Sequence, residues 1–339
     1  MSGLDGRRVV VTGGAGFIGS HLVDALLGGE AASVVVLDNL VNGTADNLAA
    51  WEDDSRLELV VGDIRDRDEV ARVVAGADVV FHLACLGVRH SLHSPVENHD
   101  VNASGSLTVA LAARDAGIRR FIHVSTSEVF GTATAVPMDE NHPTWPETVY
   151  GAGKLAGEAY ARAMYRTYGM PVTVVRPFNT YGPRSHAAGD SGEIIPRTIV
   201  KMIHGERPVL FGTGAQTRDF MHVSDTAAGL LAFAQSDEAI GRTVTIGTGV
   251  ETAMRDVCDL IAAALGRPDL TPRMLPARPG DVMRLCADGT TMEALTGFRP
   301  AVPLSDGIAD LVAWFEAQDT SGMLDDIADT NWERSGVSA

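Results

Sequence analysis

The chain has 339 residues, 45% of them hydrophobic and 21% charged, a globular composition with enough apolar material for one large α/β unit or two domains. Its 27 Lys and Arg against 44 Asp and Glu leave a formal charge of −17, which argues against duplex nucleic acid and anionic membrane as partners. Three scattered cysteines, Cys85, Cys258 and Cys286, argue against a disulfide framework or a CxxC metal site, and no apolar run approaches the roughly 20 residues of a membrane span. The first residues lack the basic-then-apolar pattern of a signal peptide, so the expectation is a soluble, cytoplasmic protein.

In chain order, Val9-Val10-Val11 is a continuous β-branched run, the signature of a parallel strand buried on both faces. A helix is expected over 17–27, stopped by Gly28-Gly29, followed by strands over 34–37 and 57–61. Helix 68–74, strand 79–81, helix 101–116, strand 121–124, helix 150–168 and strand 172–175 complete the alternation. This pattern predicts an α/β fold with a doubly wound parallel sheet over 1–182, to which later segments can return. From 183 to 317 frequent Gly and Pro break the chain into a smaller mixed α/β lobe, in which we place a strand over 244–246 and a helix over 256–265. Residues 318–339 are polar and weakly patterned, which suggests a surface helix or a loose tail.

The first strand runs into Thr12-Gly13-Gly14-Ala15-Gly16-Phe17-Ile18-Gly19 and then a helix. Gly13 suits the tight turn, Gly16 the approach of backbone to a pyrophosphate, and Gly19 close packing of helix on sheet. An acid about 20 residues further on completes this dinucleotide pattern, and Asp38 stands there at the end of the second strand. A carboxylate at that place accepts the ribose hydroxyls and repels a 2′-phosphate, so NAD is expected rather than NADP. Asp63 is placed to meet the adenine amine. Phe17, Ile18, Asn39, Ile64, Leu83, Ala84 and Pro177 are expected to complete this Rossmann-type cofactor site.

Tyr150 and Lys154 stand at i and i+4 on one face of the long helix. A free phenol titrates near 10, so it needs a nearby cation to serve as a base at neutral pH, and Lys154 is expected to help supply it. Ser125-Thr126-Ser127-Glu128 ends the fifth strand at the carboxyl edge of the sheet, where open α/β folds bind ligands. His90, His93 and His99 lack companions at metal-ligand spacing and are expected to be loop histidines, and Cys85 a small buried thiol.

Together these motifs resemble the extended short-chain dehydrogenase/reductase family, and within it the NAD-dependent nucleotide-sugar epimerases, dehydratases and decarboxylases. The matching elements run from the glycine motif to Arg278-Pro279-Gly280-Asp281. The resemblance implies a sugar C4 hydroxyl that loses its proton to Tyr150 and its hydride to NAD, with Thr126 on the C4 oxygen and Lys154 on the nicotinamide ribose. It implies a diphosphate contact at Asn179 in Arg176-Pro177-Phe178-Asn179-Thr180-Tyr181-Gly182-Pro183-Arg184, phosphate clamps at Arg218 and Arg278, and Asp281 near the nucleoside ribose. An acidic chain that binds a diphosphate must concentrate arginines locally, and Arg89, Arg184, Arg218 and Arg278 are the candidates. Relatives of this kind often form homodimers through helices corresponding to 101–116 and 150–168.

The reaction is read from Ser127 and Glu128. A 4-epimerase needs no second base, whereas Glu128 suits chemistry at C5 or C6 of a 4-keto sugar. The Thr-Ser-Glu triplet resembles glucuronate decarboxylases and some 4,6-dehydratases. Gly87-Val88-Arg89-His90-Ser91 resembles a segment of epimerases that act on UDP-glucuronate, where Arg89 would meet the extra carboxylate. The expected order is therefore UDP-glucuronate decarboxylase, then NDP-hexose 4,6-dehydratase, then 4-epimerase. A sensor that binds NAD or a sugar nucleotide without turnover would not need Thr126, Tyr150 and Lys154 together.

Overall fold

The β-branched runs form strands and the helically spaced segments form helices. The order is β1 (Arg8–Thr12), α1 (Phe17–Leu27), β2 (Ser33–Asp38), β3 (Leu57–Val61), α2 (Arg67–Val74), β4 (Val79–His82), α3 (Val88–His93), α4 (Pro95–His99), α5 (Ser106–Asp115), β5 (Arg120–Val124), α6 (Val149–Tyr168) and β6 (Val172–Pro177). It continues with β7 (Asn179–Tyr181), α7 (Ile194–Ile203), β8 (Val209–Phe211), β9 (Thr217–His222), α8 (Val223–Gln235), β10 (Thr243–Ile246), β11 (Glu251–Ala253), α9 (Met254–Ala264), β12 (Arg273–Leu275), α10 (Thr290–Thr296), α11 (Leu304–Glu316) and α12 (Ser321–Asp325). This computed structural model describes residues 4–277 and 282–330.

Seven strands form one sheet in the order β10-β6-β5-β4-β1-β2-β3, and every pairing is parallel. The valine run of β1 is apolar throughout because both faces are covered. Val9 and Val11 pack with Leu22 and Leu26 of α1 on one side, and Val10 with Val70 and Val73 of α2 on the other. From β1 the chain proceeds to β2 and β3 in one direction and to β4, β5 and β6 in the other. The carboxyl ends of β1 and β4 therefore flank the switch point, where a doubly wound sheet opens a crevice for a ligand. The fold is the Rossmann-type α/β fold that the alternation predicts.

Three segments differ from their expected places. Residues 244–246 do not belong to the smaller lobe: β10 pairs with β6, Val244 opposite Val175, and extends the main sheet. A short apolar run reads alike in either setting, and only the return of α8 onto α1 and β6 carries this strand back. The helix expected over 101–116 begins earlier, because α4 passes through a π-helical turn at Asp100–Gly105 into α5. The tail is also anchored as far as it is described. Ile327 is buried in the lobe core with Ile199, Ile261 and Leu311, and Asp329 pairs with Lys201 at 2.7 Å and Arg273 at 2.6 Å. One isoleucine is too little for a periodic signal.

Two histidines lie inside the main sheet. His82 meets the Thr12 hydroxyl at 2.7 Å and the Ser106 hydroxyl at 2.9 Å, and His123 lies beside it with ring centroids 5.4 Å apart. Burial pushes both well below the ordinary imidazole value, so both are neutral in the folded protein. Unfolded histidine titrates near 6.5, so below that pH the unfolded state binds more protons and stability falls as pH falls. The expected loss is about 1.4 kcal/mol per histidine for each pH unit from 6.5 down toward the folded values. NMR titration of the His82 and His123 rings between pH 7.5 and 5.5 checks the assignment, and protonation of either ring with a midpoint near 6.5 would contradict it.

Candidate active site

A cavity of about 520 Å³ opens over the carboxyl ends of β1, β4 and β5 and extends into the lobe. Its cofactor end is shaped by the glycine motif. Gly13 has φ +74°, and a side chain there would place Cβ 2.6 Å from the Ala84 amide nitrogen. A Cβ on Gly19 would run into the Gly13 carbonyl oxygen, so only glycine lets α1 start this close to the turn. At the end of β2, Asp38 is 8% exposed. Its carboxylate accepts from Ala15 N at 3.0 Å and Leu40 N at 2.9 Å. That leaves lone pairs on a fixed acceptor facing the cavity. Asp63 also lines it, held by Arg65 Nη2 at 2.7 Å. Phe17, Ile18, Asn39, Ile64, Leu83, Ala84 and Pro177 are all on the wall. A bare backbone at a helix start and a carboxylate at the second strand end are what an NAD dinucleotide requires, so the residues present fit the cofactor.

Thr126, Ser127, Glu128, Tyr150 and Lys154 all line the cavity, and Tyr150 hydrogen-bonds Thr126 there. Thr126 caps a 3-10 turn at Ser127–Val129 by accepting from Glu128 N at 3.2 Å, which turns Glu128 toward the site. Tyr150 enters at the first turn of α6, which Thr148 caps by accepting from Gly151 N at 3.1 Å. Lys154 is 2% exposed and donates through Nζ to the Val124 carbonyl at 2.6 Å.

The electrostatics differ from the expectation for the phenol. Burial pushes Tyr150 well above its ordinary value, Cys85, Glu128 and Glu193 push the same way, and only the hydrogen bond with Thr126 opposes them. Burial also lowers the Lys154 ammonium, whose donation goes to Val124. The chain alone thus keeps Tyr150 a phenol, and a positive charge favouring the phenolate would have to be supplied by a bound oxidised nicotinamide.

The substrate candidates divide. Arg89, Asn179 and Arg218 line the cavity. Asn179 Oδ1 is buried with no hydrogen-bond partner among the described residues, an acceptor left for a ligand. Arg218 is 7% exposed and donates to the Thr217 carbonyl at 2.8 Å. Arg184 does not line the cavity; it turns away with φ +66° and pairs with Asp24 of α1 at 2.7 Å. Arg278 and Asp281 lie outside the described residues.

Several wall residues differ from the reading of the sequence or went unnoticed in it. Cys85 is half-buried on the cavity wall rather than enclosed in the core. Glu193, Arg197 and Lys201 enter from α7 and the residue before it. Asn98 and Asn102 hold the wall from behind: Asn102 accepts from Leu86 N at 3.0 Å, and Asn98 donates to the carbonyls of Leu86 and Gly87 at 3.1 and 3.0 Å. His90 and His93 are on α3, His90 3.3 Å from Glu97, and the described residues contain no group of three or more potential metal ligands.

Residues 10–311 match the family model described as GDP-mannose 4,6 dehydratase. The UDP-glucose 4-epimerase of Mycolicibacterium smegmatis is 38% identical over 311 residues, covering 91% of this chain and 98% of the relative. UDP-glucuronic acid decarboxylase 6 of Arabidopsis thaliana is 32% identical, covering 89% and 86%. The dTDP-glucose 4,6-dehydratase DesIV of Streptomyces venezuelae, solved with NAD bound, superimposes with a TM-score of 0.87 at 36% identity, covering 91% of this chain and 97% of that one. On the family match over residues 10–311 and the shared fold, the chain belongs to the GDP-mannose 4,6-dehydratase family of extended short-chain dehydrogenases/reductases, NAD-dependent enzymes that act on nucleotide sugars.

Proposed function

We propose that the chain oxidises C4 of a nucleotide-bound hexose and then removes water across C5 and C6, as an NDP-hexose 4,6-dehydratase. The observation that carries this reading is a pair of carboxyl groups on the cavity wall, Glu128 and Glu193, both of which act electrostatically on Tyr150. Asp38 and the glycine motif hold the dinucleotide, and Lys154 the nicotinamide ribose. Asn179 and Arg218 hold the sugar-bound diphosphate, of a UDP- or dTDP-sugar. Thr126 holds the C4 oxygen while Tyr150 takes the C4 hydroxyl proton. NAD supplies the acceptor for the C4 hydride and its later return. A 4-keto group acidifies the neighbouring C5–H, and Glu128 takes that proton. The working form is a cytoplasmic homodimer joined through α5 and α6, where Ala159 and Ala163 are exposed and Met164 is buried in the core.

Decarboxylation of UDP-glucuronate is the second reading, favoured by Arg89 on the wall. It ranks below dehydration because a substrate carboxylate at the sugar end would become a third acidic group beside Glu128 and Glu193. A 4-epimerase would need neither carboxyl. Incubation with dTDP-glucose, UDP-glucose, GDP-mannose and UDP-glucuronate, read by product mass, decides among them. Loss of one water from a hexose nucleotide is the expected result. Loss of carbon dioxide from UDP-glucuronate, or interconversion at unchanged mass, would replace the dehydratase reading.

A further inference from the structure

We infer that Glu193 is the acid that protonates the departing C6 hydroxyl, an assignment that rests on the dehydratase reading above. Elimination needs two groups of opposite protonation, a base at C5 and an acid at the C6 oxygen. Glu128 supplies the first. The hydroxyl of Ser127, next along the chain, is a poor proton donor, and Glu193 is the other carboxyl on the wall that acts on Tyr150.

Glu193 is half-buried immediately before α7. Its backbone is fixed from both sides: its amide donates to the His186 carbonyl at 2.8 Å, and its carbonyl accepts from Arg197 N at 3.1 Å. Glu193 comes from the start of α7 in the lobe and the Thr126–Glu128 turn from the end of β5, and both line the one cavity. Burial pushes its carboxyl up to about 8, outweighing the Arg89 guanidinium that pulls it down. Arg89 from α3 acts on its carboxyl, Glu193 acts in turn on Tyr150, and Arg197 and Lys201 of α7 line the same cavity. Near neutral pH Glu193 thus carries its proton. Two carboxyls with different environments in one pocket are how a single site holds an acid and a base together.

In the step itself, Glu128 removes the C5 proton and the C5–H electron pair passes into the 4-keto system. That pair then forms the C5=C6 bond as the C6–O bond breaks. The oxygen keeps the C6–O pair, takes the proton from Glu193 and leaves as water. Glu193 is left as a carboxylate facing Arg89, whose charge stabilises it, and regains a proton from solvent.

The test compares Glu193→Gln with the unmodified enzyme on whichever of dTDP-glucose, UDP-glucose or GDP-mannose the latter dehydrates. Two rates are read, exchange of C5–H with deuterated water and loss of the C6 oxygen. Loss of water should fall about 100-fold, with C5 exchange retained as evidence of an intact site. With the 6-deoxy-6-fluoro analogue, whose leaving group departs without first being protonated, the variant and unmodified enzyme should converge. Unchanged water loss in the variant, or an equal loss of rate on both substrates, would overturn the acid role. Absence of dehydrated product from the unmodified enzyme would instead overturn the dehydratase reading, and is seen before any variant is made.

Discussion

Tyr150→Phe is expected to lower turnover by about 10²- to 10⁴-fold while leaving NAD bound. The substitution removes one oxygen and keeps the ring, so the wall of the cavity and the first turn of α6 are preserved. What disappears is the group that accepts the C4 hydroxyl proton, together with its hydrogen bond to Thr126. The dinucleotide cradle at Gly13, Gly19 and Asp38 is built from other elements and should be unaffected. Steady-state turnover and the ratio of bound cofactor to protein measure the two halves of this expectation. A variant with full activity would remove Tyr150 from the chemistry. Glu128→Gln gives the complementary outcome: C4 oxidation proceeds, the next step stalls, and reduced cofactor with keto sugar accumulates. The two variants thus separate oxidation from elimination, which a loss of overall activity could not do.

The residues that were legible in the sequence are those whose chemistry is tied to a repeating local geometry. The glycine motif, Asp38, and the Tyr150/Lys154 spacing each follow from a strand end or one helical turn, and all of them reach the cavity wall. The seven-stranded sheet was legible for six strands for the same reason. The exceptions depend on long-range returns of the chain. β10 arrives at β6 after the lobe has begun, and Glu193 reaches the site only because α7 packs over the crevice, neither of which leaves a periodic signal. Arg184 shows the converse error. A basic residue just after the Asn179 segment looks like a phosphate ligand, but its left-handed backbone turns it to Asp24. Cys85 was read as a small buried thiol, whereas it lies in the loop that follows β4 onto the crevice and is only half-buried there. Burial also decides the sign of the Tyr150 shift, and burial is a property of the assembled site that the i, i+4 spacing cannot convey.

Arg176→Ala is expected to cost about 3–5 kcal/mol of stability and to lower kcat in the folded fraction. Glu158 is fully buried, one helical turn beyond Lys154. Although burial pushes its carboxyl up, hydrogen bonds from Arg176, Ser125 and Arg162 prevail and hold it below its ordinary value. Arg176 Nε and Nη2 donate to the two carboxylate oxygens at 2.8 and 2.7 Å, Ser125 Oγ donates at 2.6 Å and Arg162 Nη1 at 2.8 Å. This cluster ties α6 to the ends of β5 and β6, directly beneath the elements that carry Thr126, Tyr150 and Lys154. Removing Arg176 leaves a buried carboxylate short of two donors, and it also removes the guanidinium stacked 4.7 Å from the Phe130 ring. The Thr126–Tyr150 geometry then loosens, and a small misplacement of reacting groups is costly in rate. Urea unfolding and kcat read the two effects. The pair Arg176→Met with Glu158→Leu, which removes both charges, should recover much of the stability. It should not recover the rate, because Ser125 loses its acceptor and the strand end next to Thr126 is no longer held. Full recovery of kcat in that double variant would show that the cluster supports the fold without positioning the site.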